Sequence, residues 1–388
     1  MQVITENETL RAFSERLHQW PAITVDTEFL RDRTFWPKLC LLQFGTPEEA
    51  LAVDPLAAGI DLSPIHEVLR DPGVIKVFHA ARQDLEIFYH QMGEVPAPIF
   101  DTQLAAMVAG YGDSVGYETL VNKIAKATVD KASQYTDWAR RPLKERQITY
   151  ALSDVTHLRT IYEKLSRRLE TSGRSGWLDE EMAILTDPTT YQMDVDKAWR
   201  RLKIRNRQPR YLGVLKAVAA WREERAQSRD VPRNRILRDE VLQQLASEQP
   251  TTPQALAEVR GLPSELKNGD RAESLLAAVE AGLTLPEGAM PTPAPAVRLP
   301  RDIGPVVDLL KVLLKLISEQ HGVAQKLIAT VADLERIAAD DGADVAALKG
   351  WRREIFGAEA LALKHGRLAL AVRGRKLAAV TLPESGPD

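Results

Sequence analysis

The chain has 388 residues, 44% of them hydrophobic and 27% charged, and a formal net charge of −3. That length predicts two or three domains. The balance is ordinary for a soluble globular protein, so a nucleic-acid partner has to be sought in local rather than total charge. One cysteine, Cys40, excludes an internal disulfide and any zinc site built from several thiolates. Met1 to Leu10 lacks the apolar core of a signal peptide, and no apolar run is long enough to span a bilayer. The expectation is a soluble, cytoplasmic, monomeric protein.

The first strand run is Ala22 to Asp26, β-branched and apolar before it turns acidic. Leu39 to Phe44 follows, stopped by Gly45, then Ala50 to Val53, stopped by Asp54-Pro55, and then Val74 to Phe78. Short apolar runs bounded by turn residues suit buried strands, and the first three, joined by short links, suit antiparallel neighbours. Helical stretches are predicted at Ser63 to Arg70, Ala81 to Gln91, Thr102 to Ala109, Tyr117 to Ile124 and Leu143 to Glu170. Together these predict an α/β domain with a mixed sheet and helices packed on it, ending near Asp187-Pro188.

From Lys197 to Arg238 there are fourteen Lys and Arg against three acids, a local excess of eleven positive charges. Such a stretch can neutralise phosphates. Of its aromatics Trp199, Tyr211 and Trp221, the last two read mainly as core. Pro286, Pro291, Pro293, Pro295 and Pro300 mark an extended linker, and a helical third segment follows from Asp302. Val231, Ile236, Leu242 and Leu245 recur as Val323, Ile328, Leu334 and Ile337, all shifted by 92, while Arg260-Gly261 recurs as Lys349-Gly350 at a shift of 89. The second and third segments therefore read as diverged copies of one helical unit.

The chemistry-bearing residues lie in the first segment. Asp26 and Glu28 are two apart, which puts both carboxylates on one face of a strand. Unpaired buried carboxylates are costly, and an oxygen-preferring divalent cation removes that cost. Asp84 falls in the first turn of a predicted helix, where the helix dipole alone would favour an acid. Tyr150 and Asp154 are four apart and share a helix face. Each signal is weak alone; strand ends, helix starts and buried tyrosines carry such residues without any site.

The set is specific. In order and spacing, Asp26, Glu28, Asp84, Tyr150 and Asp154 resemble the three motifs of the DEDD exonucleases in their tyrosine-bearing branch. The flanks (Phe29, Arg31, Arg33, Pro37, Leu39 to Gln43, His79 to Phe88, Asp101 to Gln103, Asp137-Trp138, Arg141 to Leu143 and Gln147) resemble the ribonuclease D family over roughly residues 1–170, and an HRDC-like module follows at about 208–286. The resemblance implies a ribonuclease H-like exonuclease domain over 1–190, an HRDC-like domain over 208–286, a linker over 287–301 and a second, diverged HRDC-like domain over 302–388, both of these all-α. It implies two-metal-ion hydrolysis with Mg²⁺ or Mn²⁺: Asp26, Glu28, Asp84 and Asp154 as metal ligands and Tyr150 orienting the water. The implied function is a 3′→5′ exoribonuclease that releases nucleoside 5′-monophosphates from tRNA precursors and other small structured RNAs. Candidate substrate contacts are Glu28, Phe29 and, in the basic stretch, Arg210 and Arg233; Phe35 and Trp36 are weaker ones. His79 reads as a satisfied structural histidine in preference to a group supporting the metal ligands, and Asp101, near a predicted strand end, reads as structural. The competing readings are a DNA 3′→5′ exonuclease, since the acids do not distinguish sugars, and a catalytically silent RNA-binding scaffold.

Overall fold

The computed structural model describes residues 2–129, 136–204, 206–291, 300 and 302–383. Arg205 of the basic stretch and most of the proline-rich linker, 292–299, lie outside the described residues.

Alternation along one strand organises the first domain. Val3–Ile4 (β1), Ala22–Leu30 (β2), Lys38–Gly45 (β3), Ala50–Val53 (β4), Ile75–Phe78 (β5) and Ile99–Asp101 (β6) form a sheet in the order β1-β4-β3-β2-β5-β6. The expected antiparallel neighbours are there: β3 pairs antiparallel with both β2 and β4. β5 lies parallel to β2 and β6, and β1 parallel to β4, so the sheet is mixed. Ile23 and Val25 of β2 join a buried core with Phe13 and Leu17 of helix Asn7–Leu17 (α1) and with Ile65 and Leu69 of helix Ser63–Arg70 (α2). Helices Arg82–Met92 (α3) and Thr102–Val108 (α4) follow β5 and β6. A short helix, Tyr117–Leu120 (α5), runs into a π-turn at Val121–Ala125. The 27-residue helix Glu145–Thr171 (α6) then crosses β2, β3 and β4, and Ser175–Thr186 (α7) packs beside α4.

The first helical module comprises Pro209–Ser228 (α8), Arg233–Ile236 (α9), Asp239–Glu248 (α10), Pro253–Glu258 (α11) and Asp270–Leu283 (α12), with its own apolar core. Phe35 of the exonuclease-type domain is part of that core. One carboxylate oxygen of Asp230 accepts from the Phe35 and Trp36 amides at 3.0 and 2.9 Å, and the Arg233 guanidinium lies 4.4 Å from the Phe35 ring centre.

The third module carries Gly304–His321 (α13), Gln325–Ile328 (α14), Val331–Ala339 (α15), Gly350–Arg352 (α16) and Ala358–Lys364 (α17). α9 and α10 recur as α14 and α15 at the same shift of 92 residues, and Gly261 and Gly350 both have positive φ. The helical expectation stops at Lys364. Leu368–Arg373 (β7) and Lys376–Thr381 (β8) form an antiparallel hairpin around Gly374, so this module is not all-α. Its core is continuous with that of the first domain. The rings of Trp177 and Trp351 stack at 4.4 Å and 7°, and Arg352 bonds to Glu180 at 2.9 Å and to Glu181. Among the described residues no helix is long and apolar enough to cross a membrane.

Candidate active site

Thr24, Asp26 and Glu28 occupy the β2 face opposite Ile23 and Val25. Thr24 donates to the Val155 carbonyl of α6 at 2.8 Å, which fixes that face toward the helix. Gly45 of β3 permits the approach: a Cβ there would sit 2.5 Å from Thr24 Oγ1 and 3.1 Å from Val155 O. The neighbour of Val155 is Asp154, and this close packing carries its carboxylate to the strand. Oxygens of Asp26, Glu28 and Asp154 all lie within 4.8 Å of one another. Gly45→Ala is therefore expected to push α6 off the sheet and cut catalytic efficiency roughly ten- to a hundredfold. Steady-state kinetics beside a thermal melt checks this; unchanged kinetics would mean that α6 is not held by that contact.

The three acids line a cavity of about 440 Å³ together with His79, Tyr117 and Tyr150. Asp84 is also buried, in the first turn of α3, but it does not line that cavity. Thr27, on the other face of β2, donates to the Asp84 carboxylate in a short hydrogen bond. The geometry thus joins Asp26, Glu28 and Asp154 directly and places Asp84 behind them.

The electrostatics are those of crowded carboxylates. Burial, then the Asp154 charge, holds Asp26 well above the usual carboxylate range. Burial followed by Asp26, Asp154 and Asp84 pushes Glu28 up to about 10. Asp84 is raised by burial and by Asp26. Burial takes Asp154 to about 7, opposed by a hydrogen bond from Tyr150. One carboxylate oxygen of Asp154 is buried with no hydrogen-bond partner. Acceptor-only groups that repel one another, with an orphaned oxygen among them, fit a divalent cation.

Residues 1–170 match the 3′-5′ exonuclease family and residues 212–279 the HRDC domain. Ribonuclease D of Nitrobacter hamburgensis is 50% identical over 97% of this chain and 98% of its own length. The chain belongs to the ribonuclease D family. Ribonuclease D of Granulibacter bethesdensis is 48% identical over 98% of this chain and 96% of its own. The crystal structure of Escherichia coli RNase D, an exoribonuclease involved in structured RNA processing, superposes with a TM-score of 0.79 at 32% identity, covering 94% of this chain and 98% of that one.

Against this ribonuclease D framework the remaining sequence candidates separate. Phe29 is half-buried just past a bulge at Glu28/Phe29 and lies outside the acid-lined cavity. Phe35 is core, and Trp36 stacks on His90 at 4.1 Å. Arg210 is exposed at the start of α8. Arg233 is instead half-buried and paired, donating through Nε (2.6 Å) and Nη2 to the buried Glu223 while covering Phe35. Trp199, Tyr211 and Trp221 are all buried. Asp101 is structural as expected, its carboxylate accepting from the Ala80, Ala81, Gln103 and Leu104 amides.

His79 departs from its reading as satisfied: Nδ1 lies 3.0 Å from Thr102 Oγ1, but Nε2 is buried without a partner. Sequence reasoning missed Tyr117, whose hydroxyl donates to the Asp154 carbonyl. Its only sequence signal was a place in a predicted helix 37 residues before Asp154, and that spacing says nothing about contact. Arg141 stands out in the sequence only through the family resemblance. It fixes the segment before α6, donating to both Asp54 oxygens at 2.6 Å and to the Cys40 carbonyl at 2.6 Å.

Proposed function

We propose that this 3′→5′ exoribonuclease hydrolyses the terminal phosphodiester at the Asp26–Glu28–Asp154 cluster and releases nucleoside 5′-monophosphates. The observation that carries the reading is the convergence of these three carboxylates, Asp154 buried and Asp26 and Glu28 half-buried, within 4.8 Å, where the Asp26 and Asp154 charges raise the cost of ionising their neighbours. Asp26, Glu28 and Asp154 would hold divalent cations, two Mg²⁺ or Mn²⁺, with Asp84 supporting from behind Asp26. Bound there, such cations supply Lewis acidity and a water of lowered pKa. Glu28 would also receive the terminal 3′ hydroxyl. Tyr150 bonds to Asp154, and its own ionisation is pushed well above the ordinary phenol value, first by burial and then by Asp154. It keeps its proton and so orients the attacking water rather than deprotonating it. Tyr150→Phe is expected to lower kcat about a hundredfold with little change in KM for RNA; an equal loss in both would point to binding.

Exposed cations of the basic stretch, among them Arg200, Lys203, Arg207 and Arg210, support a grip on the folded part of an RNA. Arg235, Arg238 and Arg260 line an open groove on the same module. The third module, with its recurring helix order, reads as a second, diverged HRDC-like unit. The substrates that fit are tRNA precursors and other small structured RNAs with 3′ tails, read by shape and backbone. The test is release of mononucleotides from a 3′-tailed structured RNA with Mg²⁺ or Mn²⁺. Stepwise shortening that stops on chelation supports the reading. Digestion of a matching DNA alone, or of neither, overturns it.

A further inference from the structure

His79 stands in the cavity wall with Asp26, Glu28 and Tyr117. Its two ring nitrogens differ. Nδ1 is 3.0 Å from Thr102 Oγ1. That hydroxyl gives its one proton to the Phe78 carbonyl, also at 3.0 Å, so toward the imidazole it can only accept. Nδ1 therefore carries the ring hydrogen, and Nε2 is left as a bare acceptor. Burial favours this neutral form. Nε2 is buried and unpartnered, a state that costs free energy until a ligand supplies a donor. Tyr117 does not supply it: its ring packs against His79 at 5.4 Å and 58°, and its hydroxyl is spent on the Asp154 carbonyl.

We propose that His79 is a specificity residue of this exonuclease, its Nε2 accepting a hydrogen bond from a hydroxyl of the terminal ribose. The proposal rests on the exoribonuclease reading above and adds the sugar to it. A phosphodiester offers no donor to a bare acceptor. A base amino group is absent from uracil and would make removal depend on sequence. Ribose hydroxyls are donors present on every RNA end, and the sugar lies next to the bond that is cut. A terminal nucleotide lacking that hydroxyl leaves Nε2 unpaired, and sites built around a substrate hydroxyl discriminate strongly on that ground. A contact to the 2′ hydroxyl would give an otherwise sugar-blind set of acids a preference for RNA, and one to the 3′ hydroxyl a preference for free ends.

The experiment uses the full-length protein and three short RNAs that differ only in the last nucleotide: ribose, 2′-deoxyribose or 3′-deoxyribose. Removal of that nucleotide is followed for wild type, His79→Phe and His79→Gln. Wild type is expected to be about tenfold or more slower on one of the two deoxy ends, which names the hydroxyl. His79→Phe should abolish that difference by losing rate on the ribose end alone. His79→Gln, whose amide oxygen reaches the Nε2 position, should restore much of it. His79→Asn keeps a donor toward Thr102 without reaching that position, and gives the same comparison if the phenylalanine variant does not fold. Equal wild-type rates on all three ends overturn the proposal. So does a His79→Phe protein that is slower on every end by the same factor, which is a structural role. A wild type that removes none of the ends refutes the exoribonuclease reading itself.

Discussion

Asp26→Asn should reduce mononucleotide release by roughly a thousandfold or more while the protein remains folded. Asp26 is the acid through which the others interact: its charge raises Glu28 and Asp84, and Asp154 in turn raises Asp26. Asparagine keeps the shape and removes the charge. A divalent cation then loses a central ligand, while the metal-free protein loses a source of repulsion. The metal-free variant is therefore expected to melt at a higher temperature than wild type, with activity gone. Activity assays and melts on one preparation check both halves. A variant that still shortens RNA at a wild-type rate would remove Asp26 from the chemistry. One that loses activity only because it unfolds would leave its role open to a structural reading.

The second large effect is the response of stability to pH. Glu28 and Asp154 have folded-state pKa values of about 10 and about 7, against ordinary values of 4.5 and 3.8. Both are raised, so between the two values the folded state holds protons that the unfolded state has released. Stability then falls as pH rises. The window runs from about pH 4 to pH 7 for Asp154 and on to about pH 10 for Glu28. Without metal, the protein should lose on the order of several kcal/mol between pH 5 and pH 8. Saturating Mg²⁺ or Mn²⁺ should flatten or reverse this trend, because the cation binds only the deprotonated, folded cluster. Melting curves at pH 5, 6, 7 and 8, with chelator or with metal, decide the matter. A metal-free melting temperature that climbs steadily from pH 5 to pH 8 would mean that the acids are not repelling one another.

Much of this site could be read from the chain, and what could be read is instructive. Asp26 and Glu28 share a strand face because strand side chains alternate, and Tyr150 and Asp154 share a helix face because helical neighbours are four apart. Both relations are local. The meeting of the two elements is not local: it depends on Gly45 lying under Thr24 and Val155, which no spacing reveals. The strand was also expected to end at Asp26, yet β2 runs on to Leu30, so the acids sit within it. One strand was missed, β1, whose two residues are too few for alternation to show. The hairpin at 368–381 was hidden by Ala369, Ala371, Ala378 and Ala379, good helix formers that here sit among Leu368, Leu370, Val372 and Leu377. Arg233 shows the limit of counting charge: a cation in a basic stretch can be spent on a buried glutamate.

The continuity of the core between the first domain and the third module bears on how the protein is made. Leu310, Leu313, Ile317 and Phe356 belong to the same buried cluster as Phe13, Phe78 and Phe88. A ribosome delivers the first set long after the second. While the chain grows, the face carrying Met107 and Trp177 has no cover, because Ala324 and Trp351 are still unmade. The first helical module, whose core takes Phe35, Ala198, Trp199 and Leu202 from upstream, can close before then. The two ends of the polypeptide finish one cooperative body around a middle already folded, so a truncated message would yield a nuclease domain with an open apolar flank.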